Sequence, residues 1–217
     1  MSGRFFSVAA LVFFVMCGAQ RASASMVTFE SLTLGTTYNG SGYSQGDLIF
    51  SEDGIDVTIE EFLWSPGNPT FGGFAMVASP STPVPGAGTF DFGSGQLMGI
   101  NNISLEFDFT NLGFAVDHVT VNYANNGGNE NVSVNGGAIE SSLISNAPAN
   151  IAPGVTLATS FDNIAGYWTL DLTGPIDSMR IGGQEFAIDN VIATPEPSTL
   201  VLLAAAALVA TRRPRRR

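Results

Sequence analysis

The stretch "ISLEFDF", residues 103–109, decides the fold class. Ile103, Leu105, Phe107 and Phe109 fall on one side of an extended chain, and Ser104, Glu106 and Asp108 on the other. Side chains alternate faces along a strand, so a strict two-residue period predicts a strand buried on one face only. The same period recurs in "VTVNY" (Val119, Val121, Tyr123), in "TLDL" (Leu170, Leu172) and in "TFDFG" (Phe90, Phe92). Between these runs lie turn formers: Asn39-Gly40, "NNGGN" at 125–129, Asn135-Gly136-Gly137 and Gly182-Gly183. Asn-Gly supplies the positive φ that primed turns need, so "VSVNGGAIES" at 132–141 predicts a hairpin. No part of the middle carries a 3.6-residue stripe long enough for a helix. Many short half-buried strands predict an all-β, antiparallel β-sandwich, with the jelly roll as the expected form. The Pro- and Gly-rich residues 65–88 are expected to loop across one end of it, because too few residues precede them to make a separate core.

Charge is spread unevenly. The 217-residue chain has 19 acids and 8 arginines, with no lysine. Eighteen of the acids lie in residues 25–193, where Arg180 is the only basic side chain, so that span carries a net charge of −17. Such a surface repels nucleic acid and anionic lipid, and neither is an expected partner of it.

The two ends read as addresses. Residues 1–24, "MSGRFFSVAALVFFVMCGAQRASA", put Arg4 before an apolar run and close on Ala22-Ser23-Ala24. A basic start, an apolar middle and a small-x-small close predict a secretory signal peptide, cut by signal peptidase after Ala24; a retained anchor is the competing reading. The single cysteine, Cys17, leaves with it. The mature chain then has no disulfide, thiolate nucleophile or thiolate metal site. Residues 194–217, "TPEPSTLVLLAAAALVATRRPRRR", place Pro195-Glu196-Pro197 before an apolar run at 200–210 and then Arg212, Arg213, Arg215, Arg216 and Arg217. As a helix that run spans about 16 Å against a hydrocarbon core of roughly 30 Å, and the arginines make a cytoplasmic stop. The tail resembles the PEP-CTERM sorting tail of exported bacterial proteins, also known as the ice-binding-protein C-terminal domain. The resemblance covers about 24 residues and implies transient membrane insertion, recognition and removal by an exosortase, and delivery to the cell surface or extracellular matrix of a bacterium. An ordinary C-terminal anchor is the alternative. The expected organisation is therefore signal peptide 1–24, β-sandwich 25–193 and sorting tail 194–217.

Chemistry in the middle is sparse. A Ser-His-Asp set or a zinc site would need His118, the only histidine, which falls in an alternating strand. "LEFDFTN" at 105–111 begins like the Glu-x-Asp strand of laminarinase-type jelly-roll hydrolases, but Thr110 and Asn111 stand where the second glutamate is needed. The expectation is a non-catalytic module, with a polysaccharide hydrolase as the alternative. Glu60-Glu61 reads as a solvated strand end. Sugars stack on exposed aromatic rings, so Trp64 and Tyr43, in turn-like sequence beside Tyr38, Phe71 and Phe74, are candidate carbohydrate contacts; Trp168 reads as a strand residue near the core. In "QEFAIDNVIA", alternation sets Phe186, Ile188 and Ile192 on one face and Ala187, Val191 and Ala193 on the other, with Asp189 and Asn190 interrupting both. Glu30 interrupts the first strand between Phe29 and Leu32. Half-buried carboxylates need donors or a cation. First and last strands of a jelly roll commonly lie together, so Glu30, Asp189 and Asn190 are expected to share a structural Ca²⁺, a hard cation suited to oxygen ligands. The alternative is that Asp189 and Asn190 cap backbone amides at a bulge without metal.

Overall fold

The computed structural model describes residues 23–93 and 95–196. Ala22, Pro197 and the five C-terminal arginines lie outside them, as do most of the expected signal peptide and the expected C-terminal helix. Among the described residues no helix is long and apolar enough to cross a membrane.

The strands follow in chain order as β1 (Ser25–Val27), β2 (Thr37–Asn39), β3 (Leu48–Glu52), β4 (Ile55–Glu60), β5 (Phe62–Leu63), β6 (Pro69–Thr70), β7 (Phe74–Ala78), β8 (Leu97–Asn101), β9 (Ile103–Asp108), β10 (Val116–Asn125), β11 (Glu130–Val134), β12 (Asn150–Ala152), β13 (Val155–Asp162), β14 (Tyr167–Thr173), β15 (Ser178–Gly183) and β16 (Phe186–Pro195). A 3-10 turn covers Ile144–Asn146. The fold is all-β and antiparallel, a sandwich of two sheets. Sheet A runs β12-β13-β14-β10-β16-β8-β7-β2, with β1 also on β16; sheet B runs β11-β15-β9-β4-β3; β5 and β6 form a separate hairpin. Ile103, Leu105 and Phe107 of β9 pack into one core with Val119, Val121 and Tyr123 of β10 and Leu170 and Leu172 of β14, all essentially unexposed. Burying a side chain of this size contributes about 1.5–3 kcal/mol, so the alternation read in these strands is the main source of cohesion. The hairpin at Asn135-Gly136 forms as expected, with φ of 53° and 66° and Gly137 N–H donating to Val134 O at 2.9 Å.

Five local readings are corrected. Phe90 and Phe92 form no strand, because Gly86, Gly88 and Gly93 take positive φ and break the extended chain. Residues 79–93 instead cover the outer face of sheet A, where Val84, Ala87, Phe90 and Phe92 make a second apolar cluster with Met76, Ala78, Leu97 and Ala187. Residues 65–88 are not one crossing loop: they contain β6 and β7, and β7 lies inside sheet A between β2 and β8. Covered on both faces, "FAMVA" shows no alternation. Gly182 and Gly183 end β15 rather than turning, since a Cβ on Gly182 would strike the carbonyl of Ile103 and the side chain of Ser104. Glu60 is buried, not solvated, while the last strand continues past Ala193 to Pro195.

The outer layer rests on Gly99, where a Cβ would collide with both methyls of Val84. Gly99→Ala should lower the unfolding free energy by about 1–3 kcal/mol, and adding Val84→Ala should recover most of that loss. Urea unfolding of the single and double variants checks it; equal losses would show that the contact is not the cause.

Candidate functional site

β16 has β10 along one edge. Its other edge is shared by two strands placed end to end: β1 pairs with Val191–Ala193 and β8 with Phe186–Ile188, so neither reaches Asp189 or Asn190. The β10 register slips at the same point, with Asn122 opposite Asp189 but Thr120 opposite Ile192. One extra residue on β16 makes a β-bulge there. Asn190 takes φ 52°, a left-handed conformation that asparagine tolerates better than most residues. Because the bulge resets the alternation, Phe186, Ile188, Val191 and Ala193 all join the core. The face assignment expected for Val191, Ala193 and Ile192 is thereby overturned.

Carboxylates gather at this seam. Asp189 is 3% exposed; its Oδ1 accepts from Asn190 N–H at 2.7 Å and its Oδ2 from Asn190 Nδ2 at 2.9 Å. As the chain leaves β1, Phe29 takes φ 64° while fully buried, a strained conformation for a bulky residue. Its N–H and the Thr28 hydroxyl donate to Glu52 at 3.0 and 3.1 Å. Glu30 accepts from Gln96 N–H at 2.6 Å, and the Gln96 amide donates to the carbonyls of Glu30 and Leu32. Gln96 Oε1 is buried without a partner. Burial above all pushes Asp189 up to about 6; the Asn190 N–H opposes this, and the charges of Glu30 and Glu52 reinforce it. The first and last strands therefore bring Glu30 and Asp189 into electrostatic reach of each other. Among the described residues, no three His, Cys, Asp or Glu side chains converge as a metal-ligand set.

The remaining candidates are scattered. His118 Nε2 lies 3.0 Å from Asp171 Oδ2 on neighbouring strands, both side chains well exposed. Arg180 bridges Glu60 at 3.2 Å and Glu106 at 3.0 Å. Asp108 accepts from the N–H and hydroxyl of Thr110. Trp64, 37% exposed, packs edge-on against Phe62 in the hairpin that Asn131 fastens to β11, through Leu63 N–H and O at 2.6 and 2.9 Å. Tyr43 is half-buried and packs edge-on against Tyr38, so each of these two candidates has its own ring partner. Phe71 and Phe74 are partly buried against the apolar clusters. Trp168 stacks on Tyr123 at 6.2 Å, as a strand residue near the core should. Pro195 stands opposite Val116, and Glu196 N–H donates to Ala115 O at 3.3 Å.

Besides misreading Glu60, sequence reasoning missed a second buried acid. Glu130 is 3% exposed and accepts from Asn125 Nδ2 at 2.7 Å and from Ile144 N–H. Burial raises its pKa against both hydrogen bonds. Its carboxylate in turn adds to the burial that raises Tyr123, whose hydroxyl has no partner. Position in "GGNENV" hides it, because a residue beside a glycine-rich turn reads as solvated. Against known proteins, the chain matches no family model, no curated protein and no solved structure.

Asp189 and Glu130 titrate above their ordinary values, so between about pH 4 and pH 6 the folded chain binds more protons than the unfolded one. Stability then falls as pH rises through that window, by up to about 3 kcal/mol for a shift from 3.8 to about 6 at Asp189. Denaturant unfolding in chelator from pH 4 to pH 7 should show this fall, and Asp189→Asn and Glu130→Gln should each flatten it.

Proposed function

We propose that the chain is an exported, non-catalytic surface or matrix protein: a β-sandwich of jelly-roll type, freed by signal peptidase and then sorted by an exosortase through its C-terminal tail. The observation that carries this reading is the order Pro195-Glu196-Pro197, apolar run, arginine cluster at the end of a chain that opens with a signal-like segment. The last described strand, β16, ends at Pro195, the first residue of the motif, and this supports the reading. The pairing of β1 with β16 fits a jelly roll, in which first and last strands are neighbours. A carbohydrate is the expected ligand class, with the exposed part of Trp64 as the better placed of the two aromatic contacts and Tyr43 the more enclosed.

Two observations favour a binding module over a polysaccharide hydrolase. Glu106 is engaged by Arg180 and Asp108 by Thr110, so the acids that resemble a catalytic strand serve as structural partners. Glycosidase chemistry needs two acids free to act on one bond.

Structural calcium at the seam is the companion reading. It is favoured by an orphaned amide oxygen, Gln96 Oε1, beside carboxylates that Arg180, spent on sheet B, does not neutralise. Glu30, Asp189 and Asn190 would hold the ion, a hard, oxygen-only set. The competing account is on the same side chains, since each carboxylate already accepts from a nearby donor.

Intact-mass measurement of the surface-exposed protein should find a chain beginning near Ser25 and lacking the terminal arginines. Alanines at Pro195, Glu196 and Pro197 should leave the protein in the membrane fraction, and arginines retained in the wild-type surface pool would reject the sorting reading. For calcium, EDTA should lower the melting temperature at pH 7 and Asp189→Ala should abolish that sensitivity; a melting curve indifferent to chelator would reject the ion.

A further inference from the structure

β16 ends on the first residue of the sorting motif, still paired to β10, and we propose that this pairing withholds the cleavage segment: the folded sandwich clamps Pro195 and Glu196, so the tail is removed only when the end of β16 frays. The inference rests on the sorting reading above and concerns its regulation.

Three contacts make the clamp. Pro195 is half-buried opposite Val116, which is 4% exposed. The Thr194 hydroxyl donates to His118 O at 3.2 Å, and Glu196 N–H donates to Ala115 O at 3.3 Å. The surface they grip is itself fixed, because Ile176 N–H donates to Val116 O at 3.0 Å and Gly174 N–H to Asp117 O at 2.8 Å from the other side. One residue pair back, Ser25 of β1 faces Ala193, so the final stretch of β16 emerges from between two neighbours.

Proteases take a scissile segment as an extended strand whose backbone groups bond to the enzyme, in the manner of strand addition. A backbone already paired to β10 cannot offer those groups. Fraying is easy to reach, because Pro195 has no N–H to release. The Glu196 N–H and Thr194 hydroxyl bonds must open together with the ladder pairing of Thr194 and Pro195 to β10, and two neutral hydrogen bonds alone hold the frayed form down by roughly tenfold.

The test is pulse-chase of the full chain, read by intact mass, in a host that carries the sorting protease. Inserting Gly-Ser-Gly-Ser between Thr194 and Pro195 keeps the motif and tail but detaches them from β16, and tail loss should become about tenfold faster. Thr194→Val leaves the motif intact and should give a smaller increase in the same direction. Equal rates, or a slower insertion variant, would overturn the clamp while leaving a processed wild type in support of sorting; a tail retained in all three chains would overturn both. Hydrogen exchange on the purified wild-type chain gives an independent readout: a protected Glu196 amide supports the clamp, and an amide that exchanges at the unstructured rate rejects it.

Discussion

Sheet A hangs on the pairing of β10 with β16, the two longest strands, each spanning ten residues. β10 carries β14 and through it β13 and β12; β16 carries β8, β7 and β2 and, beyond the seam, β1. Two short strands can share one edge of β16 only if the pairing is handed from one to the other. The extra residue at Asn190 sits at that hand-over. It also decides which side chains reach the core, because a one-residue shift turns every later side chain to the opposite face. Without it, Ile188 and Val191 could not both point inward, as both do.

A second constraint is the near absence of cations. With Arg180 as the only arginine between 25 and 193, the acids must find other partners, and they find backbone N–H groups close by. Asp47 accepts from Ser44, Asp53 from Met26, Asp91 from Gly93, Asp108 from Thr110, and Asp162 from Ile164 and Ala165. Most of these are short-range bonds at turns, where carboxylates satisfy donors that no ladder reaches. Arg180 bridges two acids, Glu60 and Glu106, that lie on the same face of sheet B with limited access to water. Removing it would leave two carboxylates facing each other, which is far costlier than losing an exposed pair.

Strands buried on one face were legible from sequence because water enforces their period: β9, β10 and β14 stand where "ISLEFDF", "VTVNY" and "TLDL" put them. β7 was not, because the layer at 79–93 covers its outer face and removes the polar half of the pattern. The same layer made Phe90 and Phe92 look like a strand, since an irregular segment can also present every second side chain to an apolar surface. At the seam, the interruption by Asp189 and Asn190 was visible, and so was the nearness of Glu30. The bulge was readable only as the alternative account of those two residues, because a register shift is a relation between two strands and one strand alone does not fix it. Glu130 was hidden for a similar reason: its burial comes from Asn125 and from Ile144, whose N–H reaches it across a connection of fourteen residues.

The end of β16 has a mechanical meaning. Proline cannot donate to a ladder, so within sheets it belongs at strand ends, and Pro195 closes β16 there. Any tension transmitted through residues beyond it acts along β16, between β10 and β1, and loads their hydrogen bonds in shear rather than peeling them singly. An edge strand such as β2 or β12 in that place would have only one neighbour to resist the pull. Under the sorting function proposed above, a chain held through residues beyond Pro195 would be held by an interior strand. The contacts at Thr194 and Glu196 lie at that loaded end and are the first to open, ahead of the ladder that holds the core.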